Sequence, residues 1–157
     1  MVESRLGIDA KILAVAVANG LVTSEQAVQW ADKLIAQSDS PSQNLIDASM
    51  SRHDINALVS AFEEYAAELG AGDSPAVSRA VLAYYSEWFD GKGEDGPRIA
   101  GVLQRLAWSE AIPSGTTREE MLSFDDSYDL ASRGILFRHD VDDQLSEFLS
   151  QFRGPAP

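Results

Sequence analysis

No cysteine occurs in the 157 residues. That absence excludes a disulfide framework, a thiol nucleophile and a thiolate metal centre. Long apolar runs are also missing: the longest stretch near the start, Ile12 to Ala18, falls far short of the ~20 residues that span a bilayer. The opening MVESRLGIDAKILAVAVANG carries Glu3 and Asp9 and is followed by no small-residue processing site, so no secretory leader is expected. Basic residues are scarce. Twelve Lys and Arg stand against twenty-five Asp and Glu, a formal net charge of −13. Such a surface repels nucleic acid and anionic membranes, whose binding requires clustered Lys and Arg. It attracts a basic protein and speeds its association. The expectation is a cytoplasmic protein with no nucleic-acid or membrane partner and no cofactor.

What is present reads as helix. Apolar residues recur at spacings of three and four, and helix starts and stops punctuate the gaps. A first helix is expected from about Asp9 to Asn19, stopped at Gly20. Thr23 and Gln26 form a capping box for a second. Ser40-Pro41 with Gln43 opens a short third, and Ser51 caps a fourth whose apolar face runs from Ile55 through Leu58, Val59, Phe62, Tyr65 and Ala66 to Leu69. Ser74-Pro75 opens a fifth with Val77, Val81, Tyr84, Tyr85 and Trp88 inward; Phe89, like Trp108 further on, falls off its helix's main stripe. Asp90 to Pro97 reads as a loop, followed by a helix carrying Ile99, Val102, Leu103 and Leu106. Thr117 and Glu120 form a further box, opening a helix that Gly134 stops. Ile135 to Phe137 reads as extended. Asp140 reads as the cap of a last helix using Val141, Leu145, Phe148, Leu149 and Phe152. The fold class is therefore all-α, with seven or eight amphipathic helices. No long linker breaks the chain, so residues 1–157 read as one domain with frayed ends over 1–7 and 154–157.

Two segments resemble a known group. VQWADKLIAQSDSPSQNLIDASMS, residues 28–51, has a W-A-D…P…L-I-D-x-S pattern, and FDDSYDLASRGI, residues 124–135, has a D-D-x-x-D-L-A…G-I pattern. Together they resemble a group of small bacterial all-helical proteins with no settled activity. The resemblance covers about a quarter of the chain and implies a helical fold, with no catalytic residues to carry over. By analogy with small acidic bacterial proteins, it is compatible with an immunity-type or inhibitory role.

Several patterns touch on chemistry. Asp125-Asp126-Ser127-Tyr128-Asp129 matches the aspartate-rich Mg²⁺ signature of helical isoprenoid synthases, with Asp125 and Asp129 one turn apart. Those enzymes need a larger bundle and a second such motif, and none is found. Glu64 and Glu68, with Glu87 and Asp90, form a second carboxylate set at the ends of two successive helices. It resembles the E-x-x-E and E-x-x-D pair of all-helical nucleotide pyrophosphohydrolases, although its first half is spaced by four. This set supports the alternative expectation, a Mg²⁺-dependent nucleotide or phosphoester hydrolase. Gly91, Gly93 and Gly96 satisfy G-x-G-x-x-G but lack the preceding strand that gives the motif meaning. The only histidines, His53 and His139, show no metal spacing. Asp140, Asp142 and Asp143 lack the glycine and glutamate of a calcium loop. Between Glu119 and Asp143 there are eight acids and two bases, Arg133 and Arg138. The leading expectation is thus a non-enzymatic interaction domain that meets a basic partner through Asp125, Asp126, Asp129, Asp140, Asp142 and Asp143.

Overall fold

The computed structural model describes residues 2–92 and 95–153, with side chains described over 5–89 and 95–153. Among the described residues the regular structure is wholly helical: α1 (Val2–Ala18), α2 (Ser24–Ala36), α3 (Gln43–Ser49), α4 (Ile55–Glu68), α5 (Pro75–Lys92), α6 (Gly96–Trp108), α7 (Arg118–Ser132) and α8 (Arg138–Ser150). The all-α expectation and its upper helix count hold. Within the chain the contacts divide into two compact units, Met1–Gly72 and Asp73–Pro157, each with its own packed interior.

In the first unit α1 lies along α4, α3 packs on α4, and α2 packs on α3. The sequence of α1 explains its close approach. Its buried residues are mostly small, with Ala10, Ala14, Val15 and Ala16 fully or almost fully enclosed. A Cβ at Gly7 would lie 2.7 Å from Ala71 Cβ and 3.2 Å from Leu69 Cβ. The helix begins at Val2, seven residues before the expected start, and Gly7 lies within it at a close approach to Leu69 and Ala71. Leu58 and Phe62 of α4 are wholly buried, each contributing about 2–3 kcal/mol of transfer free energy. Trp30 of α2 meets the Phe62 ring edge-on at 5.7 Å. The Thr23–Gln26 box forms in both directions: Gln26 N–H donates to Thr23 Oγ1 at 3.1 Å and Thr23 N–H to Gln26 Oε1 at 3.0 Å.

Two expected caps move. Ser42, not Ser40, caps α3, its hydroxyl accepting the Asn44 N–H at 3.1 Å. Asp54, not Ser51, caps α4, accepting the Ala57 N–H at 3.0 Å, while the Ser51 hydroxyl donates back to Asp47 O. Ile55, expected inward, is exposed at the first position of α4.

In the second unit α5 packs on α6 and α8, and α7 packs on α6 and α8, so the four helices close a ring. Its interior gathers Leu82 and Tyr85 from α5, Leu103 from α6, Met121 from α7 and Leu145 and Leu149 from α8. Phe124, Phe148 and Phe152 stack in sequence at 5.2 and 5.4 Å between centroids. The inward stripe of α5 differs from expectation: Phe89 is buried and Tyr84 is exposed. The face turns because Ser78 and Ser86 are also buried. Arg153 Nε donates to Ser86 Oγ at 2.6 Å and ties the end of the chain's described part to α5. Helix α5 runs on to Lys92 where a loop was expected from Asp90. Gly93 and Glu94 of that expected loop, and the expected frayed tail 154–157, lie outside the described residues. Asp140 does not cap α8; Phe137 stands at that position without a side-chain bond, and Asp140 sits in the first turn.

Candidate functional site: an acidic groove beside α7

Helix α7 is started by Thr117, whose hydroxyl accepts the Glu120 N–H at 3.1 Å. Glu119 and Glu120 occupy its first turn, where the positive end of the helix dipole favours them. Met121, Phe124 and Tyr128 form its buried side at spacings of three and four. That register turns Asp125, Asp126 and Asp129 outward, and all three are exposed. They line one open groove of about 500 Å³ together with Pro97, Tyr128 and Ser132. A second hollow of about 390 Å³ shares Pro97 and adds Asp95, Arg98 and Arg138.

Tyr128 links the groove to α8. Its hydroxyl donates to Asp142 Oδ1 at 2.5 Å. Arg138 lies 3.9 Å from the other oxygen of Asp142 and 6.0 Å over the Tyr128 ring. Burial above all, then the hydrogen bond to Asp142 and its negative charge, hold the Tyr128 phenol protonated well above its ordinary range; Arg138 pulls the other way. Gly96 opens α6 directly against this pair. A Cβ there would run into the Tyr128 hydroxyl and lie 2.8 Å from Asp142 Oδ1. Asp95, at the N-cap of α6, makes no cap bond; it accepts from Trp88 Nε1 at 3.2 Å and pairs with Arg98 at 3.7 Å.

The six aspartates singled out by sequence therefore divide. Asp125, Asp126 and Asp129 converge on the groove. Asp142 does not line it and is instead engaged by Tyr128 and Arg138. Asp143 faces His139 at 3.3 Å on the exposed side of α8, and Asp140 is exposed in its first turn. Asp129 pairs with Arg133 at 2.9 Å, whereas Asp125 and Asp126 have no ion pair among the described residues. No three His, Asp or Glu side chains gather as a metal ligand set among the described residues.

The second carboxylate set is split between the units. Glu64 and Glu68 are exposed on α4 of the first, where Glu68 accepts from Ser42 Oγ at 3.0 Å and Asn44 Nδ2 at 3.4 Å. Glu87 is exposed on α5 of the second, and the side chain of Asp90 lies outside the described residues. Of the three glycines, Gly91 lies in the last turn of α5, Gly93 is outside the described residues, and Gly96 is packed shut. Sequence reasoning missed Tyr128, Gly96 and Pro97. The signal for Tyr128 was available, since it sits inside the aspartate motif. Gly96 and Pro97 are brought to α7 only by packing.

No helix among the described residues is long and apolar enough to cross a membrane. Comparison with protein-family models, with curated proteins and with solved structures gives no match.

Proposed function

We propose that the second unit is a docking domain for a basic protein, with Asp125, Asp126 and Asp129 of α7 as its landing surface. The observation that carries this reading is the convergence of three exposed carboxylates on one open groove, two of them without an ion pair among the described residues. Carboxylates held on adjacent turns repel one another, and a partner's lysine or arginine would relieve that repulsion. An overall charge of −13 extends the attraction beyond contact distance and raises the encounter rate. Asp140 and Asp143 of α8 extend the negative surface; Asp142 supports it through Tyr128.

Capture on the immobilised chain at low salt, with Asp125→Lys, Asp126→Lys and Asp129→Lys combined as the control bait, tests the reading. One dominant basic protein held by the wild-type chain, shed at high salt and lost by the variant is expected. Equal retention by both baits would remove the landing surface from consideration.

A further inference from the structure

The connector between α7 and α8 holds three large apolar side chains in solvent. Ile135 is 63%, Leu136 40% and Phe137 79% exposed. They are not on a loose loop. Gly134 adopts φ +77°, and its N–H donates to Ala131 O at 3.1 Å. Ile135 and Leu136 both donate to Leu130 O, at 3.0 and 3.4 Å. On the far side the Phe137 carbonyl accepts from Asp140 at 3.1 Å and Val141 at 3.3 Å. At helix ends of this kind the apolar residue after the glycine frequently packs back onto the helix. Here main-chain bonds fix the connector at both ends while Ile135 and Phe137 stay mostly in solvent and Leu136 partly so. Single exposed apolar residues are ordinary, but three in succession on a fixed connector mark an interaction surface.

Negative charge flanks this apolar segment along the chain on both sides. Asp125, Asp126 and Asp129 precede it on α7, and Asp140, Asp142 and Asp143 follow it on α8. From residue 125 to 143 there are six acids and two bases, a net of 2 − 6 = −4. The two bases are already satisfied: Arg133 pairs with Asp129 and Arg138 with Asp142. An apolar centre with a charged rim is the anatomy of a protein–protein interface.

We infer that Ile135, Leu136 and Phe137 anchor a basic amphipathic helix of a partner protein. Its apolar stripe would cover the connector and its flanking lysines or arginines would meet the aspartates. The inference rests on the basic-partner reading above and specifies the partner's form. Charge decides among occupants. A second copy of the chain brings another −13, and nucleic acid or an anionic membrane is likewise negative. An unstructured polybasic segment would satisfy the rim and leave the centre wet. Among the described residues there is no sheet edge to which a strand could add, whereas a helix presents apolar side chains every three or four residues, about 5–6 Å apart.

The test titrates the full chain with two synthetic peptides of about five helical turns. One alternates leucine and lysine faces. The other keeps every lysine and replaces each leucine by serine. The leucine peptide should bind at least about tenfold more tightly, the order expected for burying one large apolar anchor. Amide shifts should centre on residues 134–139. Ile135→Ser with Phe137→Ser should bring its affinity down to that of the serine peptide, and Asp125→Asn with Asp126→Asn should weaken both peptides and flatten their salt dependence. The replaced side chains are exposed, so the melting temperature should not fall.

Unchanged affinity of the leucine peptide for the serine variant overturns the inference, while a loss in the asparagine variant would still uphold the basic-partner reading. Failure of both peptides to bind overturns both. A concentration-dependent dimer in ultracentrifugation, abolished by Phe137→Ser, would assign the connector to a second copy and also overturn it.

Discussion

Gly96 is the residue at which the least chemistry decides the most structure. Its hydrogen leaves room for the Tyr128 hydroxyl and the Asp142 carboxylate, which a Cβ would crowd. Gly96→Ala should destabilise the chain by about 1–3 kcal/mol, the usual cost of overpacking, seen as a lower melting temperature. Tyr128→Phe removes the hydroxyl that donates to Asp142 and should cost about 1 kcal/mol. Because the lost hydroxyl is also the atom that a Cβ at residue 96 would strike, the double substitution should cost less than the sum of the two. Strict additivity in thermal melts would mean that the contact of residues 96 and 128 relaxes in some other way. Titration carries a second signature. Tyr85 and Tyr128 both have phenols pushed up mainly by burial. A folded-state value above the unfolded one means that the native state holds its proton longer. The resulting stability is present below about pH 10 and declines as pH rises beyond it. Melting temperature should therefore drop above about pH 10, and less steeply in Tyr128→Phe. An identical slope in the two proteins would show that this phenol does not report on folding.

At the scale of the element, legibility depended on how many candidates competed. Thr23 and Thr117 each stand alone before a periodic run, and both act as caps. Between α2 and α4, by contrast, Ser38, Ser40, Ser42, Ser49, Ser51 and Asp54 crowd the junctions. Each has a side chain able to cap, and local propensity does not rank them. Which one works depends on which backbone N–H the packed helix presents, and that is set by the fit of α3 on α4. Asp54→Ala should accordingly cost about 1 kcal/mol and Ser51→Ala only a few tenths, measured by denaturant unfolding. The reverse order would restore Ser51 as the cap. Helix α5 fails differently. A stripe drawn through its largest aromatics includes Tyr84, but the buried stripe runs through Ser78 and Ser86 to Phe89. Small polar residues carry no core signal in the sequence, because a partner such as Arg153 for Ser86 comes from sixty-seven residues away. The groove shows the same limit. Its acidic wall was readable because one helix carries it, and the contact of Gly96 with Tyr128 and Asp142 was not, because the three come from three helices.

For the whole molecule, the surplus of thirteen negative charges sets a response that local contacts cannot. Self-repulsion of a highly charged chain opposes compaction. It acts over a screening length of about 30 Å at 0.01 M salt and about 10 Å at 0.1 M. The exposed ion pairs, such as Arg52–Glu25 and Arg133–Asp129, are weakened by the same screening. Such pairs contribute at most about 1 kcal/mol each, and twelve bases cannot pair with twenty-five acids. Repulsion therefore outweighs attraction, and raising the salt concentration from about 0.01 to 0.3 M should raise the melting temperature. A basic partner should respond in the opposite sense, since the same ions screen its attraction to the α7 aspartates. Calorimetry and binding measured across one salt series should thus give slopes of opposite sign. A melting temperature that falls with salt would mean that the ion pairs dominate. The charge of Asp125 and Asp126 would then be too small a part of the molecule's electrostatics to steer a partner.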